Sequence, residues 1–363
     1  MTQFFWGAAT SAHQVEGNNH NDWSEFERER GLEPSGAACD HYNRFREDFD
    51  IAKNLGHNAH RFSIEWSRVE PEEGKFDEKE IGHYREVIHA LRERNIEPFV
   101  TLWHWTIPLW LRDKGGWTWK KTPALFARFA ERMVKEFPEV KYWVTLNEPN
   151  VYTGHGYWEG NWPPGISSLK KLLLANHRLI RGHTLAYKTI KKIHKEACVG
   201  ITQNIIWFSR WENKPKDIIW NHLFIRTIKH FQDFIGVNYY FSDRNLENKT
   251  DVQWSIDPEG LYHVLKNMRR YKKPVYILEN GIANSPDTKR ADFIRDHVAA
   301  MQKAMQEGAD VRGYFYWSLL DNFEWDKGFW PCFGLVEVDY KTMRRTVRKS
   351  ALEYQKIIES KDF

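Results

Sequence analysis

Two carboxylates stand at the ends of short apolar runs. Val275 to Leu278 follows Pro274, is apolar or aromatic throughout, and leads into Glu279, Asn280 and Gly281. Lys141 to Asn150 reads K-Y-W-V-T-L-N-E-P-N and ends in the same manner, with Glu148 between Asn147 and Pro149. A short run that is apolar at every position is the pattern of a parallel strand buried on both faces. A charge at the end of such a strand is costly to bury unless partners hold it. One such Glu is explained as a strand-end residue tied down by a backbone amide or an arginine. Two of the same design suggest a facing pair. With no nucleophilic Ser or Cys motif and no metal-ligand cluster beside them, the chemistry they suit is glycoside hydrolysis, which needs one protonated and one ionised carboxyl. Glu279 is then the ionised one, with Arg61 and the Tyr240 hydroxyl as its partners. Glu148 is kept protonated at neutral pH by the neighbouring anion. Asn147 stands where it could hold a sugar hydroxyl beside the cleavage point.

The elements that would position this pair alternate along the chain. Strands are expected at Phe4 to Ala8, Ala59 to Ile64, Pro98 to Leu102, Tyr142 to Leu146, Cys198 to Thr202, Asp233 to Asn238, Val275 to Leu278 and Gly313 to Trp317. Helical periodicity or capping signals follow each: Asp40 to Leu55 with Gly56 as a stop, Lys79 to Arg94, Thr122 to Phe137 with Pro123 in its first turn, Leu169 to Lys195, Asp217 to Phe231, Asp257 to Tyr271, Thr288 to Glu307 and Val347 to Ile358. Strands alternating with helices argue for parallel βαβ units. Eight such units predict a closed (β/α)8 TIM barrel, a single α/β domain over 1–363, whose site lies at the carboxyl ends of the strands. Near those ends come Gln14, Arg61, His104, Asn147, Glu148, Asn204, Asn238, Tyr240, Glu279 and Trp317. Stability alone does not account for so many polar groups on one rim.

Composition narrows the classes. In 363 residues, 41% are apolar, ample for a large core. No run approaches the roughly 18 apolar residues of a membrane span. The N-terminal stretch M-T-Q-F-F-W-G-A-A-T-S-A-H-Q lacks a basic segment, so no signal peptide is expected. Cys39, Cys198 and Cys332 are scattered singly, which points to a reducing, cytoplasmic setting. The net charge of +4 is small and mixed along the helices, which does not read as a nucleic-acid footprint. His57, His60, His177 and His183 form no metal-ligand spacing, and neither a metal nor another cofactor is expected. The 18 tryptophans are more than core packing calls for, and flat apolar rings at strand ends suit stacking on sugar rings.

The sequence also resembles family 1 of the glycoside hydrolases, the retaining β-glycosidases, over essentially its whole length. The resemblance lies in F-F-W-G-A-A-T-S-A-H-Q-V-E-G from Phe4, H-R-F-S-I-E-W-S-R from His60, T-L-N-E-P-N from Thr145, G-V-N-Y-Y from Gly236, I-L-E-N-G from Ile277 and Y-W-S-L-L-D-N-F-E-W from Tyr316. It implies that Glu148 is the acid/base and Glu279 the nucleophile, supported by Asn238 and Tyr240 of an N-x-Y motif. It implies that Gln14, His104, Asn147, Glu324 and Trp325 bind the hydroxyls of the terminal sugar, that Trp317 forms a platform beneath it, and that Trp105 and Phe333 belong to the same pocket.

Departures from the family pattern fall on the leaving-group side. Only about thirty residues separate Asn204 from the sixth strand, where the family carries extended loops. This predicts a pocket deep on the sugar side and open toward strands five and six. Trp158 and Trp162 would there either stack on a leaving group or serve as plain loop packing. Cys332 occupies a position that is often basic. Glu65 replaces a small residue and is either a third rim carboxylate or a capped strand end. The expected substrates are small β-glycosides and oligosaccharides with β-glucosyl, galactosyl or fucosyl ends. The competing readings are a 6-phospho-β-glycosidase, against which the anionic Glu324 argues, and a non-catalytic sugar-binding barrel, against which both carboxylates argue. The sequence does not fix the oligomeric state.

Overall fold

The computed structural model describes residues 3–360. The first two residues of the N-terminal stretch, and the last three of the expected 1–363 barrel, lie outside that range. Eight parallel strands close on themselves in chain order: β1 (Phe5–Ala9), β2 (Ala59–Ser63), β3 (Glu97–Thr101), β4 (Tyr142–Asn147), β5 (Cys198–Asn204), β6 (Ile235–Asn238), β7 (Val275–Asn280) and β8 (Val311–Trp317). The seam pairs Phe5 with Gly313 and Ala9 with Trp317. The long helices that follow are α1 (His41–Asn54), α2 (Glu78–Glu93), α3 (Thr122–Glu136), α4 (Leu169–Ile193), α5 (three joined pieces, 214–227), α6 (Pro258–Met268), α7 (Arg290–Gln306) and α8 (Lys349–Ser360). The protein is a (β/α)8 barrel.

Two apolar layers hold it. Inside the barrel, Phe5, Phe99, Phe234, Tyr276, Leu278 and Phe315 fill the bore, with Phe99 stacked on Tyr142 at 4.2 Å. Outside it, each helix buries one stripe. In α3, Phe126, Phe129, Ala130 and Met133 are buried at helical spacing, and Pro123 sits in the first turn, where its missing N–H costs nothing. Each large apolar side chain so buried contributes about 1.5–3 kcal/mol. At α2 the Asp77 carboxylate accepts from the N–H groups of Lys79 and Glu80, satisfying donors that the helix itself leaves open.

The regular ladder breaks where the carboxylates emerge. Pairing shifts between Val144 and Asn147 on β4, and between Ile277 and Asn280 on β7. Such irregularities re-aim side chains at barrel rims. Beyond Glu279 the chain leaves at Gly281, where a Cβ would lie 1.8 Å from the Trp317 carbonyl oxygen. Only glycine lets β7 exit against the end of β8.

Several elements differ from expectation. The helix expected over Asp217 to Phe231 begins at Lys214, because Pro215 suits a first turn, and contains a π turn at Ile218–His222. Asp233 is not in β6. Its carboxylate is drawn out to the Val199 N–H, Lys191 and Tyr187. The helix Asp22–Arg30, started by a reciprocal Asn21–Ser24 cap, was not anticipated. Nor was the antiparallel hairpin β9 (Val336–Asp339) and β10 (Arg344–Val347). The alternation of Val336, Glu337 and Val338 was a readable strand signal.

Candidate active site

The carboxyl ends of the strands surround a cavity of about 400 Å³. Gln14, His104, Trp105, Glu148, Tyr240, Glu279, Trp317, Glu324, Trp325 and Phe333 line it. Arg61, Asn147 and Asn238 are buried close behind and reach the carboxylates or each other.

Glu279 is held from two sides. Arg61 Nη1 donates to its Oε1 at 2.5 Å and the Tyr240 hydroxyl to its Oε2 at 2.7 Å. Burial raises the Glu279 carboxyl above its ordinary range, while Arg61, Tyr240 and Asn238 pull it back down. Among the described residues no cation pairs with Glu148. Its Oε1 accepts from Asn238 Nδ2 at 2.8 Å and from Asn204 Nδ2 at 3.3 Å. Burial pushes it up to about 8, and the Glu279 charge adds to that. The order of causes corrects the sequence-based account, which credited the neighbouring anion alone. Of the pair, Glu279 is the carboxyl equipped to carry a charge.

Asn147 knits the floor. Its Oδ1 accepts from Arg61 Nη2 and Thr202 Oγ1, both at 2.7 Å, and from Asn238 Nδ2 at 3.3 Å. Its Nδ2 lies 3.1 Å from His104 Nε2. Burial holds His104 well below the usual imidazole range, so it is neutral. With Nε2 accepting from Asn147, Nδ1 carries the proton, and that buried atom has no hydrogen-bond partner among the described residues. Gln14 is fixed by Ser11 Oγ at 2.6 Å and by Asn322 Oδ1 and the Phe323 carbonyl at 2.8 Å each.

The wall formed by Trp105 and Trp325 is aromatic. Trp325 lies 4.8 Å from Trp105, 4.7 Å from Trp23 and 5.4 Å from His13 between ring centres. Glu148, Trp105 and Trp325 all have positive φ, a strained backbone that persists where surrounding structure fixes it. Trp317 Nε1 donates to Glu324 at 3.2 Å, yet burial still pushes Glu324 up to about 8. Burial thus favours the neutral form of Glu324, which weakens the charge-repulsion argument made from sequence against a phosphorylated substrate.

Glu65 is not a rim carboxylate. It is buried away from the cavity, accepting from the Ser67 and Thr106 hydroxyls as the cap of Trp66–Val69. Trp158 is exposed, whereas Trp162 lines the cavity, donates to Asp326 at 3.0 Å and stacks on His155. The side toward β5 and β6 is not left bare: Ile206, Trp220, Phe241, Val252 and Trp254 line it. Sequence reasoning missed these five, since no period or motif marks them and only their loops' placement brings them in. Among the described residues no group of His, Cys, Asp or Glu is placed to hold a metal, and no helix is long and apolar enough to cross a membrane.

The model of the family described as "Glycosyl hydrolase family 1" matches residues 1–222 and 242–363. The chain belongs to that family. This family 1 hydrolase, a glycoside hydrolase by descent, is 34% identical to the 1,4-beta-D-glucan glucohydrolase of Thermotoga neapolitana, over 98% of its own length and 97% of that protein's. That alignment runs over 433 positions against 363 residues, so the relative carries insertions that this chain lacks. Among solved structures, the beta-glycosidase from Pyrococcus horikoshii is 40% identical with a TM-score of 0.93, covering 98% of this chain and 94% of that one. Beta-glucosidase from Thermotoga maritima in complex with deoxynojirimycin is 33% identical with a TM-score of 0.92, covering 99% and 98%. A 6-phospho-beta-galactosidase of Staphylococcus epidermidis is 29% identical over 99% and 98% of the two chains. The stretch outside the family model, 223–241, contains Asn238 and Tyr240, which the fold nonetheless brings onto the two carboxylates.

Proposed function

We propose that this hydrolase is a retaining β-glycosidase that removes terminal β-D-glucosyl residues, and also galactosyl and fucosyl ones, from small glycosides and oligosaccharides. The observation that carries the reading is the unequal holding of two carboxyls on one cavity: Arg61 and Tyr240 take up both oxygens of Glu279, while Glu148 is held by the amides of Asn238 and Asn204. A carboxylate fixed in that way is placed to attack rather than to activate a water, which favours the retaining mechanism over the inverting one.

In the first step a Glu279 oxygen attacks the anomeric carbon while Glu148 gives its proton to the departing oxygen, which takes the electron pair of the broken bond. In the second, Glu148, now a base, takes a proton from water, whose oxygen displaces Glu279. Arg61 and Tyr240 hold the nucleophile in line. The unpaired Nδ1–H of His104 and the second amide N–H of Asn147 are donors for sugar hydroxyls. Trp317 supplies the platform, with Gln14, Glu324 and Trp325 around it and Trp105 and Phe333 completing the wall. The barrel acts as one domain. The deciding test is proton NMR of the first sugar released from a chromogenic β-glucoside: the β anomer is expected, and an initial α anomer would remove the retaining assignment.

Activity is expected to be bell-shaped in pH. It falls on the acid side as Glu279 takes up a proton, and on the basic side as Glu148 loses its own near 8. Trapping Glu279 as its glycosyl ester removes the neighbouring charge but not the burial. The Glu148 pKa should therefore drop part of the way and stay above the ordinary carboxylate value. Titration of Glu148 by NMR in the trapped enzyme checks this, and an unchanged value would mean that the two carboxylates do not interact.

Glu324 is the specificity residue of this reading, accepting from the 4- and 6-hydroxyls. Each such contact is worth about 0.5–1.5 kcal/mol to a neutral carboxyl and up to about 3 kcal/mol once the carboxyl ionises. Glu324→Gln should therefore lower kcat/KM for glucosides and galactosides more than for a fucoside, which lacks the 6-hydroxyl. Equal losses on all three would contradict the role. The resemblance to a 6-phospho-β-galactosidase keeps one rival open, and Lys327 at the cavity edge is the cation it would use. Lys327 is, however, 3.5 Å from the Asp326 carboxylate. A preference for 6-phosphoglucosides in the unmutated protein would decide for the rival.

A further inference from the structure

Where the chain is short, between β5 and β6, the π turn Ile218–His222 carries Trp220 to the edge of the cavity. The turn is pinned there. Asn221 accepts from the Ile206 N–H at 3.0 Å and donates to the Ile206 carbonyl at 2.7 Å, as a neighbouring strand would. The Trp220 carbonyl accepts from Gln203 Nε2 at 2.7 Å, and its ring lies 3.7 Å from where a side chain on Gly154 would begin. The indole Nε1 donates to Asn204 Oδ1 at 3.3 Å, and Asn204 Nδ2 donates to Glu148 Oε1 at 3.3 Å.

A primary amide can present either end to a neighbour, and an indole N–H only donates. The Asn204 end that faces Trp220 is therefore oxygen, and the end that faces Glu148 is N–H. We propose that Trp220 is a positioning residue for the acid/base, its indole N–H locking Asn204 in the orientation that donates to Glu148.

The proposal rests on Glu148 being the proton donor. As its proton passes to the departing oxygen, negative charge grows on the Glu148 carboxyl, and a donor already aimed at Oε1 stabilises that charge without having to turn. With the lock removed, Asn204 is free to rotate its oxygen toward Glu148, which opposes the same charge. The effect must grow with the leaving group's need for a proton. Besides Asn204, the groups that act on Glu148 are Glu279, Arg61, Tyr240 and Asn238, whereas the hydrogen bonds of Trp220 go to Asn150, Gln203 and Asn204.

Trp220→Phe keeps the ring and removes the N–H. Per active site, counted by burst titration, kcat/KM for an alkyl β-glucoside should fall roughly three- to tenfold, the size of one neutral hydrogen bond. The value for a dinitrophenyl β-glucoside, whose leaving group needs no proton, should stay within about twofold. The basic limb of the alkyl-glucoside profile should move up by about half to one pH unit, since a carboxylate that loses a donor holds its proton more tightly. Asn204→Ala should reproduce these effects, and the double variant should lose no more than either single one. Equal losses on both substrates, an unmoved basic limb, or additive losses would make Trp220 a wall residue only and overturn the proposal. Turnover of the dinitrophenyl glucoside by the unmutated protein is the separate check on the underlying activity. Its absence would remove the glycosidase reading and this inference with it.

Discussion

Glu279→Gly abolishes turnover, with kcat falling on the order of 10⁴-fold or more, because no other group can form the bond to the anomeric carbon. Arg61 lies 1% exposed against Glu279, and Tyr240 is buried on its other side. In the variant both point at a gap the size of a carboxylate. Formate fits that gap with the same two contacts. It should restore cleavage of an activated aryl β-glucoside, with the released glucosyl ester inverted at the anomeric carbon. Steady-state kinetics with and without formate, read by NMR, check both parts. Appreciable unaided turnover in the variant would show that Glu279 is not the nucleophile.

Glu148→Ala divides substrates instead of silencing all of them. Alkyl β-glucosides should lose about 10²- to 10⁴-fold in kcat/KM, the worth of a positioned general acid. A dinitrophenyl β-glucoside departs unaided, so its first step should survive and the glycosyl-enzyme should accumulate, since no base remains to activate water. A burst of dinitrophenol equal to the enzyme, followed by slow release, is the expected trace. The basic limb near 8 should vanish with the carboxyl that produces it. A variant that keeps this limb would assign the limb to another group, with Glu324, itself raised to about 8, the first to examine.

The barrel was legible because most of its strands carry short apolar or aromatic runs and its helices are striped, and both patterns are local. The carboxylates were legible for a related reason: a Glu closing a buried strand is conspicuous. Causes that depend on depth were not. That burial outranks the Glu279 charge in setting Glu148, or favours the neutral form of Glu324, follows from how far each lies from solvent, which no spacing encodes. Glu65, left between a rim carboxylate and a capped strand end, proves to be the cap. It also closes a buried strand, but the Ser67 and Thr106 hydroxyls take up its oxygens below the rim. Trp220 had no signal at all, because the π turn that aims it arises from Asn221 bonding to Ile206 across the loop.

The seam between β1 and β8 bears on how the molecule comes to exist. Phe5 finds its partner 308 positions away at Gly313, and the Tyr354 hydroxyl then bridges the Gly7 and Tyr314 carbonyls across that junction. Until the last strand emerges, β1 has one open edge, and the polar groups on it wait for a partner that is not yet made. Closing so long a loop is an entropic cost met before its contacts are gained. The loop that carries Asp321 and Glu324 is held in the same way, by Arg348 on Asp321 at 2.8 Å. Pieces of this chain that lack β8 and α8 thus leave an edge of β1 unpaired and the loop bearing Asp321 unbraced.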